Sequence, residues 1–175
     1  MLGLGMGIKP QDILILLKII AMRQRPWRQV EIADELAISR AEVSNSLERC
    51  LQVGLIDEDK RTPHKAALLE FIQYGLKYVF AAKPGPMVRG ILTAHAAPPL
   101  SSHIVSDQTE AYVWPWPEGE ARGQEVEPLY PTVPRAIKGA PELYQMLALV
   151  DALRLGRVRE QKIALEELKI RMMRS

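Results

Sequence analysis

Within 39–53, SRAEVSNSLERCLQV, the side chains best suited to reading another molecule are Arg40, Ser44 and Asn45, spaced to share one face of a helix. An arginine fork matches the acceptor pair of guanine, and a carboxamide matches the donor and acceptor edge of adenine. Arg40 and Asn45 therefore suit base edges in the major groove of duplex DNA. Ser39, Ser44 and Gln29 suit phosphate oxygens, and Arg28 and Arg49 would complete a basic rim. Glu42 is assigned to a helix cap, and Glu48 is a poor neighbour for phosphate. The plainer alternative is a three-helix core whose polar face is only solvated.

Other reactive side chains lack the spacing that chemistry demands. His64, His95 and His103 have no metal-ligand spacing with one another or with Cys50. Neither a phosphate-binding loop nor a nucleophile elbow occurs. The opening glycines follow no strand and have the wrong spacing for a dinucleotide fingerprint. The expectation is a protein that is not an enzyme, with no catalytic residue, no metal and no cofactor. Cys50 reads as a core residue. His95 and His103, close to tryptophans, read as packed or surface residues in preference to the lining of a small-molecule pocket.

Positioning that polar face requires two short amphipathic helices. Val30, Ile32, Ala33 and Leu36 recur at helical spacing, Ala37-Ile38 makes the turn, and Ser39-x-x-Glu42 opens the next helix as a capping box. Val43, Leu47, Cys50 and Leu51 form its inward face, and Gly54 ends it. Ahead of them, Pro10 suits the first turn of a helix running to about residue 25, with Ile13, Leu16, Leu17 and Ile20 inward. After them, 64–82 reads as a further helix on Leu68, Ile72, Leu76 and Val79, with Gly75 a weak point inside it.

In Gln29-Val30-x-Ile32-Ala33-x-x-Leu36, then Ile38-Ser39-Arg40-x-x-Val43-Ser44-x-x-Leu47 and Val53-Gly54-Leu55-Ile56, the chain resembles MarR-type and related winged-helix transcription regulators. The resemblance covers the N-terminal half. It implies a helix-turn-helix domain over 1–82, with 39–53 as the recognition helix. Asn45 stands where those regulators often carry Arg or Lys. The segment 57–63, DEDKRTP, is short and acidic for a wing, giving a stunted wing or none.

Composition bounds the remainder. A chain of 175 residues, 47% hydrophobic, suffices for one good core, or for a small domain with a dependent extension. A net charge of +2 is too small to argue nucleic-acid binding by itself, so basic residues must be arranged for it. The apolar run 13–17 is too short for a membrane span, and with a single cysteine and no signal peptide the expected setting is the cytoplasm, with no membrane partner.

Residues 83–141 hold most of the prolines, which excludes regular helix over most of the span. Two short strands are expected, in MVRGILTAHA and EAYVWPW, with PEGEARG as a turn. The alternative is an arm wrapping this chain or a second subunit, because Tyr112, Val113, Trp114, Trp116, Leu129 and Tyr130 need a surface to pack on. The span 142–175 returns to helix, interrupted at Gly156. Its stripe Leu143, Leu147, Val150, Leu153 is assigned to dimerisation, with packing on the first helix as the alternative. The fold class expected is thus mainly α, of α+β type.

Two functions fit. The first is a sequence-specific DNA-binding regulator, a homodimeric repressor bound to double-stranded DNA. The second is an interaction protein, of antitoxin or operon-partner kind, that docks a protein partner through 83–141. An exposed face at Arg40, Ser44 and Asn45 favours the first, and a face covered by 83–141 favours the second.

Overall fold

A computed structural model describes residues 7–104 and 110–174. The glycine-rich opening up to residue 6 lies outside them. Among the described residues the chain is mixed α and β, with the helices α1 (Pro10–Ala21), α2 (Gln29–Leu36), α3 (Arg40–Gln52), α4 (Lys65–Tyr74) and α5 (Leu76–Val79) first. The strands β1 (Met87–Thr93), β2 (Tyr112–Pro115) and β3 (Ala121–Glu125) follow, and then α6 (Val133–Ala136), α7 (Pro141–Leu155) and α8 (Val158–Met173). No helix among the described residues is long and apolar enough to cross a membrane.

Pro10 opens α1 at its first turn, and Asp12 accepts from the Lys9 backbone N–H at 2.8 Å, so the helix start is capped. The helix is buried on every side: Ile13 through Leu17 are inaccessible and Ile19 and Ile20 nearly so. One inward face was expected. The apolar residues surround the helix because α2 and α3 pack against it, as do α7 and α8, which makes it the central rod of the core. The helix ends before Arg23, which takes a left-handed conformation, a few residues earlier than the periodicity suggests.

Ala37, also left-handed, turns the chain between α2 and α3, and Ile38 fills the angle with its N–H bonded to the Ala33 carbonyl at 2.9 Å. Gly54, at φ +79°, closes α3 as expected of a residue without a Cβ. The helix expected over 64–82 divides at Gly75 and finishes at Val79.

The proline-rich span forms a sheet in which each strand pairs with both others. β1 runs antiparallel to β2 from Gly90↔Pro115 to Thr93↔Tyr112 and antiparallel to β3 from Met87↔Gln124 to Gly90↔Ala121. β2 and β3 meet in parallel at Tyr112↔Gln124 and Val113↔Glu125. Both expected strands are present. The third lies partly in the segment read as a turn, because ARGQE lacks the β-branched and aromatic residues that mark a strand. β1 changes partner at Gly90, where a Cβ would sit 2.0 Å from the Trp114 carbonyl oxygen, so only glycine lets the backbones approach.

The sheet packs on α7, and the aromatics of the span find their partners inside the chain. Trp114 is buried, with its ring 5.8 Å from that of Tyr144 on α7. The C-terminal span is a hairpin of two helices, with Gly156 in extended conformation between them. Its stripe is spent within the subunit: Leu143, Leu147, Val150 and Leu153 are all buried. The assignment of that stripe to dimerisation is corrected accordingly, since α7 is enclosed by α1, α8 and the sheet.

Candidate nucleic-acid interface

α3 has two faces with different chemistry. Inward, Val43, Leu47 and Cys50 are fully buried, and desolvation pushes the Cys50 thiol up to about 12, so it stays protonated and unreactive. Outward, Arg40, Ser44 and Asn45 are exposed together, one turn apart.

The helix start is capped by Ser39, whose Oγ accepts from the Glu42 N–H at 3.1 Å. The reciprocal half of the expected capping box is absent. Glu42 turns instead toward α1 and the body of α3, accepting from Gln11 Nε2 at 3.1 Å and from Arg49 Nη2 at 2.5 Å. Burial alone would raise its carboxyl, but the bonds from Arg49 and Gln11 outweigh that and hold it below the usual range.

Arg49 does not belong to a basic rim. Its Nε donates to Asp12 Oδ2 at 2.9 Å and its Nη2 to Asp12 Oδ1 at 2.7 Å, a two-pronged pair with Asp12 inaccessible and Arg49 only 5% exposed. The reason is geometric: Arg49 lies two turns beyond Glu42 on the same side of α3, facing α1, where a buried carboxylate needs a cation. A lone Asp12 beside the apolar run of α1 was the available signal for this pairing.

The remaining expected residues are accessible. Arg28 precedes α2, with its N–H donating to Glu31 at 3.0 Å and its side chain 76% exposed, and Gln29 begins the helix. Ser39 is exposed at the start of α3. Residues 57–62 form a short hairpin closed by a single bridge, Ile56↔Pro63, with the Asp57 N–H bonded to the Thr62 carbonyl at 3.0 Å. It is tied to α3 by Lys60, whose ammonium meets Glu48 at 2.5 Å and, through that hydrogen bond, holds this carboxylate below its usual range.

Arg61 was missed by sequence reasoning. It folds back on the α1–α2 connection, donating to the Trp27 carbonyl at 2.5 Å with its guanidinium 4.8 Å from the centre of the Trp27 ring. At the base of the hairpin His64 donates from Nδ1 to the Gly54 carbonyl at 2.9 Å and meets Asp57 through Nε2. The bond to Gly54, then that to Asp57, raises its pKa above the ordinary histidine value.

The exposed face of α3 is left uncovered by the proline-rich span, because α3 packs on α1 and α2 whereas the sheet packs on α7. Just beyond β1, His95 is buried edge-on to Tyr112 of β2, with ring centres 5.3 Å apart, while His103 is exposed, 3.5 Å from Glu167. Comparison with known protein families, curated proteins and solved structures finds no match.

Proposed function

We propose that the protein is a sequence-specific DNA-binding regulator in which residues 1–82 act as a reduced winged helix and α3 reads the major groove. The observation that carries this reading is the exposed set Arg40, Ser44 and Asn45 on a helix fixed from behind by the Asp12–Arg49 pair. Arg40 and Asn45 take base edges. Ser39, Ser44, Gln29 and Arg28 hold phosphates on either side, and the hairpin 57–62 is a stunted wing.

One such helix makes few phosphate contacts, so useful affinity requires a homodimer reading two half-sites. The contact cannot use the buried stripe of α7. Exposed Tyr74, Tyr78 and Val79 on α4 and α5 have the aromatic composition of an interface and are its place in this proposal. The interaction-protein reading loses its main support, because Val113 and Trp114 of the supposed docking segment are buried within the chain.

Selection of bound fragments from a random duplex pool tests the function and is expected to return a two-fold symmetric site. Arg40→Ala and Asn45→Ala should each weaken that site by about 1–3 kcal/mol, with little effect on random duplex. Recovery of no preferred sequence would refute the regulator reading, and a monomer by sedimentation, with and without the selected site, would refute the dimer.

A further inference from the structure

A cleft of about 440 Å³ lies between the end of α1, the hairpin and the start of α4, far in character from the polar face of α3. Arg23, Arg25, Arg61, Lys65 and Arg174 line it, and no Asp or Glu does among the described residues. In a chain with 23 Lys and Arg against 21 Asp and Glu, composition does not produce such a cluster. Arg23 and Arg25 are balanced from outside the cleft, by Glu142 and by Glu35 at 3.6 Å. Arg61 spends one N–H on the Trp27 carbonyl, and Lys65 spends one on the Arg174 carbonyl at 3.2 Å. Each keeps donors to spare and has no carboxylate partner among the described residues. The floor is apolar, with Ile20, Trp27 and Pro63.

We infer that this cleft binds a small organic phosphate: a doubly charged head held by Arg61 and Lys65, and an apolar body laid on Ile20 and Pro63. A phosphate head follows from the number of cations. Its three acceptor oxygens and charge near −2 match an arginine fork and an ammonium together, whereas a carboxylate would leave part of this donor set idle. An apolar body follows from the floor, which a free inorganic ion would leave wet. The cleft shares only the 57–62 hairpin with the proposed DNA-binding surface and none of the α3 residues assigned to DNA, so the α3 variants and the cleft variants test the two proposals separately.

Titration calorimetry of the full chain with phenyl phosphate, inorganic phosphate and benzoate tests it. Phenyl phosphate is expected to saturate one site, about tenfold more tightly than benzoate, in keeping with a charge-assisted bond lost. Inorganic phosphate is expected to bind more weakly than phenyl phosphate. Arg61→Gln and Lys65→Gln should each weaken phenyl phosphate by about tenfold, while Arg40→Ala leaves it unchanged. Because Arg61 also holds Trp27, Arg61→Lys provides a charge-preserving control expected to lose the fork but keep the charge, binding between the native chain and Arg61→Gln, and phenyl phosphate should shift the indole N–H resonance of Trp27 but not that of Trp114. Equal binding of benzoate and phenyl phosphate would overturn the phosphate assignment. Absence of saturable binding, with duplex DNA affinity lost in Arg61→Gln and Lys65→Gln, would assign these cations to a nucleic-acid backbone instead.

Discussion

Two buried carboxylates each fasten one region of this molecule, and they are satisfied in different ways. Asp12 joins α1 to α3 through a single cation, the guanidinium of Arg49, gripped at both oxygens. Asp151 joins α7 to the sheet mainly through neutral donors: Thr93 Oγ1 of β1 and Trp114 Nε1 of β2, each at 2.7 Å on the same oxygen, with Arg154 at 2.9 Å on the other. Burial raises the Asp151 carboxyl above its usual range despite these bonds. The first joint thus depends on charge, and the second depends on having an acceptor in place.

Removing the cation from the first joint is expected to have the largest effect. Arg49→Ala leaves Asp12 buried and unpaired and should cost about 3–5 kcal/mol of unfolding free energy by urea titration. Asp12→Asn should cost nearly as much, since an amide cannot replace the anion in a two-pronged pair. At the second joint the two substitutions should separate. Asp151→Ala strands the Trp114 and Thr93 donors together with Arg154 and should cost about 3 kcal/mol, whereas Asp151→Asn keeps the acceptor for those two donors, turns an amide N–H toward Arg154, and should cost less, about 2 kcal/mol. Equal costs for Asp151→Asn and Asp151→Ala would mean that both joints rest on charge.

The smallest expected effect belongs to His64, an exposed tie between the ends of the hairpin. Its pKa is raised in the folded state, so its contribution is fully present below the unfolded value of about 6.5 and is lost as pH rises through the folded value. The difference in urea midpoint between the native chain and His64→Gln should therefore shrink on going from acid to alkaline solution across neutrality. A difference constant with pH would detach the bond to Gly54 from protonation.

The same contrast explains what could be read from the amino-acid order. Local signals located α1 to α3 well: Pro10, Ser39 and Gly54 punctuate them, and the spacing of Val43, Leu47 and Cys50 gave the inward face of α3 correctly. Helix ends were misplaced by a few residues at α1 and α5, but the larger errors involve partners distant in sequence. Arg49 looks like a surface cation until Asp12, remote in the chain, is placed beside it. The stripe on α7 is apolar whether it meets another subunit or α1, and periodicity carries no record of which. β3 has almost no strand character of its own, because its backbone is held by β1 and β2. Gln29, Arg28, Ser39, Arg40, Ser44 and Asn45 are exposed, as their types and spacing suggest, while the fold-back of Arg61 onto Trp27 depends on where the hairpin lies.

The all-round burial of α1 also bears on how the chain is made. Two of the helices that enclose this one, α7 and α8, begin more than a hundred residues after it in the chain and leave the ribosome correspondingly later. At translation speeds of about 5–20 residues per second, the Ile13–Leu17 stretch of α1 waits on the order of 10 s for its final cover. During that interval the nascent protein presents an aliphatic rod of the kind that chaperones hold. Slowing elongation between the codons for Gly75 and Pro141 should increase the share of new chains retained by such holdases.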